Sequence, residues 1–254
     1  MSVAAGQGRR LSGSHRIFAV LALAFAVVVA SYVLLGKSAL FDVERVEIYG
    51  LHRVTLAEVE ERLGFRSGDP LRSVNSEEEA RNLEGLPWVQ AVDIERKWDG
   101  LVMVEITERR AVALAMVAPQ QWALIDSSGR VLTGGLSHPP DLPRLSGVHA
   151  AGVPGSYMME DSKLLLSVLG ALPTDLAQRV RSLRRDASDG EISGSLISGQ
   201  EVIFGDEDRL VAKVVALVAV LSHLGDQNRN DRYIDVSVPE VPAVRSEDRR
   251  TASS

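Results

Sequence analysis

Residues 17 to 35, IFAVLALAFAVVVASYVLL, run without a single charge. As an α-helix this stretch would measure about 28 Å, close to the thickness of a bilayer's hydrocarbon core. A soluble helix of this length that is apolar all round would need to be buried on every side. A cleaved signal peptide usually has a shorter apolar core, and small-x-small patterns such as Ala24-Phe25-Ala26 lie inside the run rather than after it. The segment is therefore read as a retained membrane anchor. Arg9, Arg10 and Arg16 precede it, and Lys37, Asp42 and Glu44 follow. The excess of arginine on one side predicts a single-pass type II topology: residues 1 to 16 form a cytoplasmic tail, and everything after about residue 36 is extracytoplasmic.

Composition narrows what the exported part does. The formal net charge is −6, and residues 1 to 36 contain three arginines and no acid, so the rest of the chain is more acidic still. Such a body repels phosphates, which argues against nucleic acid as a partner. Cysteine is absent, so disulfides and thiolate metal sites are excluded, while the compartment stays open. With 45% hydrophobic residues in 254, the chain has material for one large or two small cores.

The order of elements after the anchor predicts a β-α-α-β-β unit over residues 41 to 109. FDVERVEIY (41 to 49) alternates Val43, Val46 and Ile48 with charges and stops at Gly50. Thr55 with Glu58 reads as a capping box for a helix carrying Leu56, Val59 and Leu63, ended by Gly64. NSEEEARNLEGL supplies a second helix, with Asn75 or Ser76 as cap and acids in its first turn, closed by Pro87. In LPWVQAVDIERKWDGLVMVEITER two alternating runs meet at Asp99-Gly100, a pair that tolerates the positive φ of a tight hairpin. Three strands covered by two helices would bury Val92, Ile94, Val102, Val104 and Ile106 and leave Gln90, Asp93, Glu95, Glu105 and Thr107 wet.

Residues 110 to 245 read as a strand-rich second domain. AVALAMV, QWALID and RVLT follow one another closely, and SHPPDLPRLSG is read as a Pro-rich loop. Residues 160 to 171 and 174 to 180 look helical, 181 to 186 strand-like, and EISGSLI with QEVIFG forms a hairpin through Ser198-Gly199. Residues 207 to 224 form a helix with Leu210, Val214, Leu217, Val218 and Leu221 on one broad face. The last strand is YIDVSV, 233 to 238, ended by Pro239 and Pro242, and the polar tail 246 to 254 is expected to be disordered. The fold class is thus α+β: one transmembrane helix, a β-α-α-β-β domain, then a β domain with flanking helices.

Catalytic chemistry lacks its usual signatures. His15, His52, His138, His149 and His223 show no i, i+3 or i+4 pairing, so no helix-borne metal site is indicated. There is no phosphate-cradling glycine loop, nucleophile elbow or Ser-x-x-Lys. Asp206, Glu207 and Asp208 could in principle hold a hard cation or do acid-base work, but acids just before an apolar helix read better as its cap and first turn. Trp88 and Trp122 adjoin strand cores and are expected to pack inside, and with Trp98 they are too dispersed for a carbohydrate platform. No cofactor, metal or small-molecule substrate is expected, and the chain reads as an anchored interaction protein.

The β-α-α-β-β unit behind a signal anchor resembles a POTRA domain. The ordered series LPWVQAVDIERKW, LVMVEITERRAVA, WALIDSSGRVL, DLPRLSG, FGDEDRLVAKVVAL and YIDVSVPEVPAVR is similar to the FtsQ/DivIB family of bacterial cell-division proteins, over residues 16 to 245. The resemblance implies a non-enzymatic scaffold at the division septum that links early and late division proteins. It would help control septal peptidoglycan synthesis by binding FtsL and FtsB/DivIC-type partners. In that family the partner docks on the final strand of the β domain, which maps here onto Tyr233, Ile234, Asp235, Val236, Ser237, Val238, Pro239 and Glu240. Alternation along this strand would point Ile234, Val236 and Val238 into the core and leave Tyr233, Asp235 and Ser237 wet. If it is an edge, one alternating set of amides is free. The sequence departs from many relatives at Asp99-Gly100, where they carry proline after the tryptophan, and its C-terminal tail is brief. A periplasmic chaperone or translocation adaptor is the alternative, although such proteins repeat the domain and add long alternating strands, and neither is present. An envelope enzyme using the Asp206 cluster is the third reading.

Overall fold

The computed structural model describes residues 13–36, 42–148, 152–227 and 231–245. The expected tail at 246–254, most of the tail at 1–16, Phe41 and His149 lie outside the described residues. The first helix, α1, runs Gly13–Gly36. Its described side chains, Phe18 and those from Val20 onward to residue 31, are exposed. Among the described residues no helix is long and apolar enough to cross a membrane.

The chain then forms two compact units. Within its described residues, one comprises positions 1–50, 56–82 and 92–106, and the other 51–55, 83–91 and 107–254. The first holds β1 (Arg45–Tyr49), α2 (Leu56–Arg62), a 3-10 turn at Leu71–Ser73, α3 (Ser76–Glu84), β2 (Val89–Arg96) and β3 (Leu101–Glu108), the last three running on into the second unit. The sheet order is β1-β3-β2, with β1 parallel to the central β3. This is the expected β-α-α-β-β order, with the first strand starting at Arg45 rather than 41.

The local chemistry explains each boundary. The Asn75 side-chain oxygen accepts the Glu78 amide at 3.4 Å, capping α3. Gly100 takes φ +80° in the turn joining β2 to β3, and a Cβ there would sit 2.7 Å from the Asp42 carbonyl. Glycine is therefore required twice over, by conformation and by space. On β3, Val102, Val104 and Ile106 are buried while Glu105 and Thr107 are exposed, the period-2 pattern of a half-buried strand.

The second unit carries a nine-stranded sheet. Its strands are β4 (Ala111–Ala118), β5 (Gln121–Asp126), β6 (Val131–Leu136), β7 (Arg144–Ser146), β8 (Val180–Arg185), β9 (Ile192–Leu196), β10 (Glu201–Gly205), β11 (Tyr233–Asp235) and β12 (Ala243–Arg245). The order is β12-β11-β10-β9-β8-β7-β4-β5-β6. Helices α4 (Glu160–Ala171) and α6 (Leu210–Asp226) share one core with Leu145, Leu183, Val202, Phe204 and Ile234, and α5 (Thr174–Ala177) adds Leu176. Leu114, between Ala113 and Ala115 of that core, points to the opposite face. There, with Leu124 and Leu132, it packs against Trp88, Trp122, Leu136 and Leu142. Both tryptophans are thus partly buried, whereas Trp98 is exposed.

Polar bonds hold residues 51–55 and 83–91 into this unit. The Glu108 carboxylate accepts the amides of His52, Arg53 and Val54 at 2.8 to 2.9 Å. Burial opposes its charge, yet those three donors outweigh it and hold the carboxyl below its ordinary range. Asp126 is buried and pairs with Arg109 at 2.8 Å. Burial again opposes the charge, and bonds from Ser128, Arg109 and the Arg130 amide reverse that effect and lower its pKa. The Trp88 indole donates to Thr133 Oγ1 at 3.0 Å.

Several expected boundaries move. The loop SHPPDLPRLSG contains β7, because Arg144–Ser146 pairs with both β4 and β8. The second short helix stops at Ala177 rather than 180. Helix α6 starts at Leu210, not 207, so Asp206, Glu207 and Asp208 precede it rather than forming its first turn. The residue before α6 is Arg209, left-handed at φ +54°.

Candidate functional site

The acidic cluster is an internal brace. Lys213, on the buried face of α6, donates through Nζ to the Asp206 carbonyl at 3.0 Å and to its carboxylate at 2.5 Å. The lysine hydrogen bond is the main reason the Asp206 carboxyl lies below its ordinary range. A buried ammonium needs a carboxylate within reach, and Asp206 is thereby committed. Among the described residues no group of three histidine, aspartate or glutamate side chains converges on one point.

The C-terminal hairpin has a different character. β11 runs parallel to β10 and antiparallel to β12, with Tyr233 opposite Arg245, Ile234 opposite Val244 and Asp235 opposite Ala243. The directions of the backbone groups follow from two bonds. The Glu201 amide donates to the Arg232 carbonyl at 2.7 Å, and the Val236 amide donates to the Ile203 carbonyl at 2.9 Å. Positions 232, 234 and 236 therefore face β10, and by alternation Tyr233 and Asp235 face β12. Tyr233 and Asp235 therefore form the hydrogen-bonded pairs with Arg245 and Ala243, which turn inward, whereas Val244, opposite Ile234 in a non-bonded pair, turns its amide and carbonyl outward. Pro242 shares Val244's direction and has no N–H to offer. The Val244 amide is thus the outward donor of the segment Ala243–Arg245, at the terminal position of the sheet.

Apolar surface gathers at the same place. Val238, Val241 and Val244 are 55, 74 and 39% exposed. Among the described residues no strand pairs with the outer side of β12, and such an edge beside exposed valines is a template for a further strand.

The expected site residues, Tyr233 to Glu240, fall on the first arm and the turn of this hairpin and none on the second arm, and several expectations are corrected. The strand ends at Asp235 rather than Val238. Ser237 gives its amide to the Asp235 carboxylate at 2.9 Å, which turns the chain, so this amide does not align with that of Asp235. Ile234 and Val236 are fully buried as expected, but Val238 lies beyond the turn and is exposed. Tyr233, Asp235 and Ser237 are half-buried. The stretch from Tyr233 is not the edge, because β12 covers it. Pro239 and Glu240 sit in the connection, where the Glu240 carboxylate pairs with the Arg209 guanidinium. Pro239 and Pro242 end β11 but do not end the sheet. The residues missed were Ala243, Val244 and Arg245. Their only signal was PEVPAVR itself, a Pro-x-x-Pro turn with one β-branched residue, Val244, shortly after it.

Comparison with known proteins agrees with this architecture. Residues 41–109 match the family described as POTRA domain, FtsQ-type, and residues 113–237 match Cell division protein FtsQ/DivIB, C-terminal. The fold is thus a POTRA domain followed by the C-terminal domain of a cell-division protein. The chain is 32% identical over 240 residues to cell division protein FtsQ of Streptomyces coelicolor, covering 90% of this chain and 87% of that one. It is 31% identical over 245 residues to the FtsQ of Streptomyces collinus, with 92 and 90% covered. A solved structure, the major extracytoplasmic domain of DivIB from Geobacillus stearothermophilus, is similar over 49% of this chain and 99% of that one, at TM-score 0.34 and 20% identity. The chain belongs to the FtsQ/DivIB family of cell-division proteins. The C-terminal match stops at residue 237, before β12.

Proposed function

We propose that this protein is a membrane-anchored, non-enzymatic scaffold of the division septum, which links early and late division proteins by docking an extended segment of a partner on β12. FtsL and FtsB/DivIC-type proteins are the partners, and septal peptidoglycan synthesis is the process their recruitment controls. The residues proposed to make the contact are Tyr233 to Glu240, as expected from the family, extended to Ala243, Val244 and Arg245. The observation that carries the reading is the outward backbone of Val244 flanked by exposed valines. A strand added there gains main-chain bonds for affinity and side-chain contacts for specificity. Tyr233 is the proposed aromatic contact, half-buried beside Arg232, whose guanidinium lies 5.8 Å from the ring centroid. In this reading residues 17 to 35 span the inner membrane, 1 to 16 are cytoplasmic, 41 to 109 form the POTRA domain and 110 to 245 the docking domain.

The absence of cysteine makes the test direct. A single cysteine at Val244, paired with single cysteines along the FtsB/DivIC-type partner, should form a disulfide ladder with period two in dividing cells. Crosslinks with no periodicity, or stronger ones from the exposed Asp93 on the first unit, would overturn the docking site.

A further inference from the structure

We infer that Arg209 is a positioning residue for the docking edge: its guanidinium latches the turn between β11 and β12 to the start of α6 and so holds β12 in register. The inference rests on β12 being the docking edge.

The latch is built from three features that converge on the turn. Gly205, the last residue of β10, has φ +70°, and a Cβ on it would lie 2.9 Å from the Ser237 Cβ. The end of β10 therefore already touches the beginning of the turn. The five residues GDEDR then reverse the chain, and their path is fixed at Asp206, because the buried Lys213 ammonium holds both its carbonyl and its carboxylate. At the far end of that segment Arg209 takes a left-handed conformation that costs a residue with a Cβ roughly 1 kcal/mol. No cap bond from its side chain to α6 offsets the strain. The bond that the side chain does make is to Glu240: Nη1 reaches Oε2 at 3.2 Å and Nη2 contacts Oε1, a two-pronged fork across 31 positions of sequence.

The need for a latch lies in the hairpin. β11 and β12 are three residues each, joined by the seven positions 236 to 242. Ala243, Val244 and Arg245 are all exposed, so no buried side chain holds β12 in place. A three-residue strand with an exposed face is weakly specified in register, and a one-residue slip would turn the Val244 amide inward. Glu240 lies at the turn, and tethering it to α6 restricts that slip. Both charges are more than half exposed, so the fork contributes little to global stability. Its effect is on the order of the hairpin.

Hydrogen exchange on the full chain in nanodiscs, followed by mass spectrometry, tests this. Arg209→Ala and Arg209→Glu should raise exchange across 236 to 245 by about two- to fivefold while leaving α6 unchanged, the range expected of an exposed pair. Both replacements keep a Cβ, so the backbone strain at 209 is held constant. The exchanged pair Arg209→Glu with Glu240→Arg should restore wild-type protection, and high salt should bring the wild type toward Arg209→Ala. Affinity for the ectodomain of an FtsB/DivIC-type partner should fall and recover in the same order. Unchanged exchange in Arg209→Glu, or a charge-swapped pair as loose as the single variant, would overturn the latch. Exchange that follows the latch while the wild type fails to bind the partner would leave the latch standing and remove the docking reading instead.

Discussion

Replacing Val244 by proline separates docking from folding. The Val244 amide points away from β11 and pairs with none of the described strands, so removing it breaks no bond between them. Proline's φ suits an edge strand, and the residue before it, Ala243, is already extended, as a pre-proline residue prefers. Stability should change by no more than about 0.5 kcal/mol. Binding should change far more. A partner strand would lose one main-chain bond, about 1 kcal/mol net, and would keep an acceptor buried without a donor, a further 1 to 2 kcal/mol or so. The sum, about 2 to 3 kcal/mol, corresponds to a Kd raised roughly 30- to 150-fold. Val244→Ala controls for the side chain, which is already 39% exposed and should cost less than about 1 kcal/mol. Ala243→Pro is the opposite control: it removes an amide that faces β11 and should loosen the hairpin itself. Calorimetry with the partner ectodomain measures the affinities, and thermal melts measure the folds. Wild-type affinity in Val244→Pro would refute strand addition at this edge.

Arg109→Met should destabilise the protein by about 2 to 3 kcal/mol in urea titrations, because the buried Asp126 carboxylate loses its cation, and adding Asp126→Asn should recover part of that loss. Glu108 has a folded pKa depressed below its ordinary value, so its contribution is fully present above about pH 4.3 and fades as pH falls through the folded value. Glu108→Gln should accordingly lower the Tm at neutral pH and flatten the acid side of the stability curve, and an unaltered slope would show that the three amides gain nothing from the charge. Cysteines placed singly at Ser2 and Ser254 should differ in intact spheroplasts, with an impermeant reagent labelling only the second. A fragment of residues 41–109 should unfold cooperatively but at lower temperature than the same elements in the full chain, because 51–55 and 83–91 fold with the second unit; a non-sigmoidal melt would reject it as a domain.

How much of this was readable in advance differs from element to element. In the first unit the β-α-α-β-β order was plain, because each element carried its own periodic pattern and its own punctuation: Asn75 before α3, Gly100 between β2 and β3, and alternation along β3. The strands Arg144–Ser146 and Ala243–Arg245 escaped notice because three residues cannot display a period, and both lie next to prolines that argue for loops. For the candidate site, Ile234 and Val236 were placed correctly from alternation, whereas Val238 was not, because a hydrogen bond from its neighbour Ser237 back to Asp235 turns the chain before the pattern is complete.

The acidic run before α6 shows the same division. Acids in front of an apolar helix have two uses, a cap or a counter-ion, and the local sequence favours the cap. The choice fell to Lys213, seven positions from Asp206, whose burial against the sheet demands a carboxylate. By itself the amino-acid sequence determined the longer, periodic elements, the apolar stretch at 17 to 35, the lack of catalytic signatures and the family, since all of these are written in short-range pattern and order. Only the tertiary structure decided which strand is the edge. A hydrogen-bonding direction is set by the neighbour across the sheet, and β11 becomes internal or terminal according to whether the few residues after Pro242 fold back onto it.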